Sequence, residues 1–272
     1  MKSFLLKFLS LSLIALLSFK ADDTQEFQGK AYYFSKSKMQ LGSWGARLSE
    51  AQKKDVAARL KNRLEKTYVL SFDKESSVFK EEDKLDAISG ATDSWGANFS
   101  RGEQYKNVKD VSLIQAQEFY GKKFLVKDKL HTINWEMGKE TKQIGQYTCF
   151  KATAIISQDD LQWYNFSWSD LRRKDEDGDG KPDVPMVEVT AWYTPQVPVS
   201  HGPAEYWGLP GLILEVNAGD TTMLCSKIVI NPGEEITIKA PKGGKEITKV
   251  KYQETIRGKM QEMMNNRGRR RR

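Results

Sequence analysis

Apolar positions along the chain recur mainly at every second residue, in short runs bounded by turn-forming residues, which is the signature of half-buried strands. Residues 28–41, carrying Ala31, Tyr32, Tyr33 and Phe34, read as the first strand. Residues 66–82 contain two alternating runs broken at Asp73-Lys74-Glu75 and predict a hairpin. Strand-like stretches follow at 103–108, 111–119 and 122–127, and 138–157 reads as a longer hairpin through Gln143-Ile144-Gly145-Gln146. Residues 187–193, 212–216 and 223–230 complete the set, while 86–100 is rich in Gly, Ala and Ser and reads as a loop.

Two stretches break this rhythm. Ser49 and Gln52 form a capping box, after which Val56, Leu60 and Leu64 repeat every four residues. Glu50–Lys54 and Asp55–Arg59 add favourable i, i+4 pairs to that helix. Residues 249–266 predict a C-terminal helix. Strands that do not alternate with helices argue for a largely antiparallel sheet. The expected fold is mainly β (α+β): a curved antiparallel sheet or half-barrel, with one amphipathic helix packed on it and a second helix at the C-terminus.

The chain of 272 residues is long enough for one substantial core, and residues 22–266 carry no linker or repeat that would divide them. Residues 1–21 open with Met1-Lys2 and continue as a short apolar run interrupted by Lys7, the pattern of a signal peptide. The reading is therefore an exported protein, periplasmic or secreted and not integral to the membrane, with one domain over 22–266 and a basic tail over 267–272.

Charge changes the picture less than its total suggests. Of the formal +7, Lys2, Lys7 and Lys20 supply three and Arg267, Arg269, Arg270, Arg271 and Arg272 supply five, which leaves residues 22–266 near −1. A body so close to neutral argues against a nucleic-acid partner. Cys149 and Cys225 are the two cysteines, and outside the cytoplasm they are either a disulfide or two buried thiols.

The most distinctive stretch is 191–216, which reads AWYTPQVPVSHGPAEYWGLPGLILEV. Its Gly-Leu-Pro-Gly-Leu-Ile at 208–213 resembles the signature of the GLPGLI family, exported proteins of Bacteroidetes-type bacteria with no assigned activity. Residues 119–130, 144–152 and 225–232 resemble family motifs as well, while His201 and the acidic insert at 175–183 depart from the pattern. The resemblance implies export and little more. Physically, Pro210-Gly211 suits the centre of a type II turn, with Gly211 supplying a positive φ, and Gly202 and Gly208 permit close backbone approach. Pro195 and Pro198 keep the segment out of a central strand. It is then either a turn-and-core motif or the lip of a ligand cleft, with Trp192, Tyr193, Tyr206 and Trp207 as candidate rim residues.

Residues 175–183 carry site chemistry. Asp175, Asp177 and Asp179 occupy positions 1, 3 and 5 of a calcium-loop pattern, with Gly180 at 6, the Lys181 carbonyl at 7 and Asp183 at 9. Met186 stands at position 12, where a bidentate acid is usual, and Glu188 and Asp170 are the nearest substitutes. The expected cofactor is a weakly held Ca2+, with a solvated acidic turn as the alternative.

No catalytic motif emerges. His131 and His201 lie in no zinc spacing, and there is no nucleophile elbow or phosphate-binding glycine loop. The aromatic run 163–168 reads as core and sheet surface before sugar platform. The leading expectation is a non-enzymatic binding or carrier module of the cell envelope, holding an apolar ligand. The alternatives are a structural protein partnering an outer-membrane protein, and a hydrolase built on a carboxylate pair.

Overall fold

The computed structural model describes residues 27–38, 46–82, 101–166 and 184–269. The signal-peptide stretch, the acidic loop at 175–183 and the end of the basic tail lie outside the described residues. In chain order the elements are β1 (Gly29–Ser37), α1 (Glu50–Leu64), β2 (Glu65–Phe72), β3 (Ser76–Glu81), β4 (Gln104–Asn107) and β5 (Ser112–Phe119). They continue with β6 (Lys122–Lys129), β7 (Glu136–Ile144), β8 (Tyr147–Ser157), α2 (Gln158–Leu161), β9 (Met186–Thr194) and β10 (Leu212–Ala218). The last are β11 (Thr221–Ile230), β12 (Lys245–Ile247) and α3 (Lys249–Arg269).

The described strands form one twelve-stranded sheet in the order β12-β6-β5-β4-β3-β2-β1-β11-β10-β9-β8-β7. Every ladder is antiparallel except β12 with β6. The fold is mainly β, as the alternation predicts. The Asp73 turn between β2 and β3 closes because the Asp73 carboxylate accepts from the backbone N–H of Glu75 and Ser76. Gly145, at φ +59, allows the tight connection between β7 and β8.

Paired residues show one face of the sheet covered from β6 to β8. Val126, Gln115, Gln104, Phe79, Leu70 and Ala31 lie across successive strands on that face, all buried. Two apolar clusters form there. The larger gathers Tyr33, Leu70, Phe72 and Phe79 with Ala152, Val189, Leu212 and Leu214, and residues 197–209 pack into it. The smaller joins Leu113, Phe124 and Val126 to Trp163 and to Tyr252, Ile256 and Met260 of α3.

The helices exchange their expected importance. Ser49 and Gln52 do make the predicted capping box on α1, and Glu50 pairs with Lys53. Yet Val56, Leu60 and Leu64 stay half exposed, and none enters either cluster. The helix that packs on the sheet is α3, whose Tyr252, Ile256 and Met260 are 0%, 0% and 1% exposed. A narrow apolar stripe is present on both helices, and tertiary placement decides which one is buried.

Candidate functional site

Residues 195–210, between β9 and β10, are not a surface lip. Val197, Val199, His201, Ala204, Glu205, Tyr206 and Leu209 are all buried against the covered face. Their backbone is tied at several points: Leu212 N–H donates to Val197 O, Ile213 N–H to His201 O and Gly208 N–H to Ser200 O. Tyr33 on β1 donates its hydroxyl to Ile213 O at 2.6 Å.

The glycines of the 208–213 motif serve differently from the predicted type II turn. Gly208 is the one with positive φ, +91. Gly211 is required for space, because a Cβ there would lie 2.2 Å from Thr194 O. Gly202 is similarly confined, by Ile213 Cδ1 at 2.7 Å and Tyr206 O at 2.8 Å.

Two polar anchors, one from β4 and one within the segment, hold it in place. Lys106 on β4 is fully buried, and its Nζ donates to Gly202 O at 2.7 Å, Ala204 O at 2.8 Å and Tyr206 O at 3.1 Å. Burial pushes its pKa down to about 7, Glu205 raises it and Arg101 lowers it. Three carbonyl acceptors match the three N–H groups of an ammonium and keep the proton in place. Glu205 is the second anchor. Its carboxylate accepts from the Arg101 guanidinium, from Gln104 Nε2 at 3.0 Å and from Trp163 Nε1 at 3.3 Å. The Arg101 and Glu205 side chains are 6% and 7% exposed. Burial lowers the Arg101 pKa, but Glu205 first and Tyr164 next outweigh it and leave the pKa above the usual arginine value.

Arg101 also opens onto solvent-reachable space. It donates to Tyr164 Oη at 3.0 Å and lies 4.6 Å from that ring's centre. Beside it is a cavity of about 220 Å3, lined by Arg101, Gln158, Gln162, Tyr164 and Tyr206, by the apolar Leu161, Val187 and Met223, and by the β10–β11 turn at 218–221. Burial raises the pKa of both phenols, so Tyr164 and Tyr206 are neutral and keep their O–H groups. A guanidinium, two phenols and two amides around so small a volume suit a compact polar ligand. Asp220 is the one acidic residue of this lining among the described residues, which supply no carboxylate pair there.

Residues 135–215 match the model of a family described as a protein of unknown function, Porph_ging. The matched region runs from Trp135 to Glu215 and so contains β7, β8, β9 and the buried segment. No curated protein matches the chain. Two solved structures of PNGF-II, in different space groups, are 14% identical; they cover 85% and 84% of this chain, with TM-scores of 0.48 and 0.46. The chain spans 32% of the length of each. LprF from Mycobacterium bovis is 9% identical over 84% of this chain and 96% of its own, with a TM-score of 0.29. At that level of likeness none of these structures speaks to fold or activity here.

The four aromatic residues expected to rim one cleft are dispersed. Trp192 and Tyr193 are neighbours on a strand, so they point to opposite faces. Trp192 is half exposed beneath Lys142 Nζ at 4.3 Å, whereas Tyr193 is buried in the larger cluster. Trp207 packs on the smaller cluster, donates to His131 O and accepts at its carbonyl from Trp135 Nε1. Tyr206 alone lines the cavity.

Cys149 and Cys225 are free and buried, not bridged: β9 and β10 separate their strands, and burial lifts the two thiols to about 11 and about 12. Asp175, Asp177, Asp179, Lys181 and Asp183 lie outside the described residues, among which no group of three or more metal-ligating side chains occurs. No helix among the described residues is long and apolar enough to cross a membrane.

Sequence reading missed Lys106, Arg101, Gln104 and Glu205. On β4 the one large apolar residue, Tyr105, faces outward, while Gln104 and Lys106 face the covered side. A polar–aromatic–polar alternation gives the opposite orientation to the one observed.

Proposed function

We infer that this chain is an exported, non-enzymatic binding module of the cell envelope whose ligand occupies the cavity beside Arg101. The observation that carries this reading is the convergence of Arg101, Tyr164 and Tyr206 on about 220 Å3 of reachable space. The one buried carboxylate nearby, Glu205, is committed to three donors and serves as a brace. The covered face that an apolar cargo would need is filled by residues 195–210 and by α3, so the ligand is a small polar molecule. Export rests on the signal-peptide pattern of residues 1–21, and a weak Ca2+ site rests on the spacing of Asp175, Asp177, Asp179 and Asp183.

Native mass spectrometry of protein purified from the envelope of cells that make it tests the reading. Wild-type protein should carry a small bound mass. Gln162→Trp, which fills the exposed mouth of the cavity, should lose it while keeping its circular dichroism and melting temperature. An unliganded wild-type protein, or an equal bound mass on both, would count against the assignment.

A further inference from the structure

The other face of the sheet carries a second feature. After β11 the chain returns beside Tyr105 of β4, Ile114 of β5 and Leu125 of β6 before joining the sheet as β12. Its side chains alternate: Ile236 is buried, Ile238 and Ala240 are half buried, and Thr237 and Lys239 are exposed. Side chains pointing alternately down and up leave the backbone N–H and C=O groups directed sideways along the surface. Residues 237–240 make no backbone hydrogen bond to another described residue; Pro241, which has no N–H, and Gly243, at φ +92, end the extended stretch. Along their flank runs an open groove of about 550 Å3, floored by Tyr105, Ile114 and Leu125. Lys239 and Lys242 line it, and neither is in an ion pair with a described carboxylate, whereas Lys127 is paired with Glu246.

We propose that this groove binds an extended acidic segment of a partner protein by strand addition along residues 237–240. The unpaired backbone groups supply main-chain hydrogen bonds, and the apolar floor takes alternate apolar side chains. Lys239 and Lys242 select for acidic residues between them. The site lies on the face opposite the Arg101 cavity and does not depend on it.

Fluorescence anisotropy with a labelled peptide alternating Val and Glu tests the proposal on the full mature chain. Binding should weaken as salt rises. It should fall at least tenfold for the Lys-for-Glu peptide and for K239E/K242E, two exposed substitutions that leave the fold intact. A peptide N-methylated at alternate amides should also lose binding, because its main chain can no longer pair. Gln162→Trp should bind like wild type, which separates this site from the cavity. Undiminished binding of the N-methylated peptide would overturn strand addition, and indifference to K239E/K242E would overturn the acidic partner. No binding of the Val–Glu peptide would overturn both.

Discussion

Lys106 places its ammonium 2.8 Å from the carbonyl oxygen of Ala204, a non-glycine residue held at φ +52. A left-handed alanine costs on the order of 1 kcal/mol, and three charge-assisted hydrogen bonds from one lysine offset it. The buried segment is thus bent into a strained path and locked there from β4.

Removing the lock while keeping its bulk should expose its worth. Lys106→Met leaves the carbonyls of Gly202, Ala204 and Tyr206 without their donor in a buried setting. The expected loss is about 2–4 kcal/mol in urea unfolding, mostly from unsatisfied carbonyls. A variant as stable as wild type would show that the contacts carry no net energy.

His201 gives the fold an acid sensitivity. Burial and then Lys106 lower its pKa from 6.5 to about 3, partly opposed by the bond to Asp73 O at 3.1 Å. The folded state therefore excludes a proton that the unfolded chain accepts below about pH 6.5. Stability from this residue is complete above that pH and is lost as pH falls from 6.5 toward 3, by up to about 1.4 kcal/mol per pH unit. His201→Gln, which retains a donor for Asp73 O, should show a flatter stability profile between pH 6 and 4. Parallel profiles for the two proteins would remove His201 as the cause.

The two helices should answer differently to truncation. Ile256→Ala on α3 opens a cavity among Tyr252, Met260 and the sheet and should cost about 2–4 kcal/mol. Leu60→Ala on α1 touches neither apolar cluster and should cost under about 1 kcal/mol. Chemical denaturation of both variants measures the contrast.

Millimolar calcium should raise the melting temperature if the loop at 175–183 binds it as its spacing suggests, with affinity on the order of 10⁻⁴ to 10⁻³ M. Asp177→Ala combined with Asp179→Ala should abolish the rise. A parent protein indifferent to calcium would leave the loop as a solvated turn.

The strands were legible because their period and turn residues are local: Asp73 and Gly145 mark the hairpins where they occur. Which face each strand buries was less so. On β5, Leu113, Gln115, Gln117 and Phe119 point to the covered side, and Ile114 and Ala116 point away. The polar pair Gln115 and Gln117 faces the segment that carries Glu205: Gln115 Oε1 accepts from Gln104 Nε2, which also donates to Glu205, while Nε2 of Gln115 and of Gln117 finds no acceptor among the described residues. That partner is some 90 residues away in sequence, so no local pattern announces it. The same distance conceals the Arg101 cavity, whose lining comes from five separate stretches of chain. Cys149 and Cys225 looked like a pair because both sit in strands, but strand order, which sets their separation, is not written in either strand.

Hydrogen–deuterium exchange across residues 197–213 tests most directly whether the 208–213 motif belongs to an internal brace. The amides of Tyr206, Gly208, Leu212 and Ile213 all have backbone acceptors, so they should exchange as slowly as the central strands β1 and β10. Exchange as fast as in the exposed β7–β8 turn would mean that the segment opens freely, and the brace would have to be abandoned.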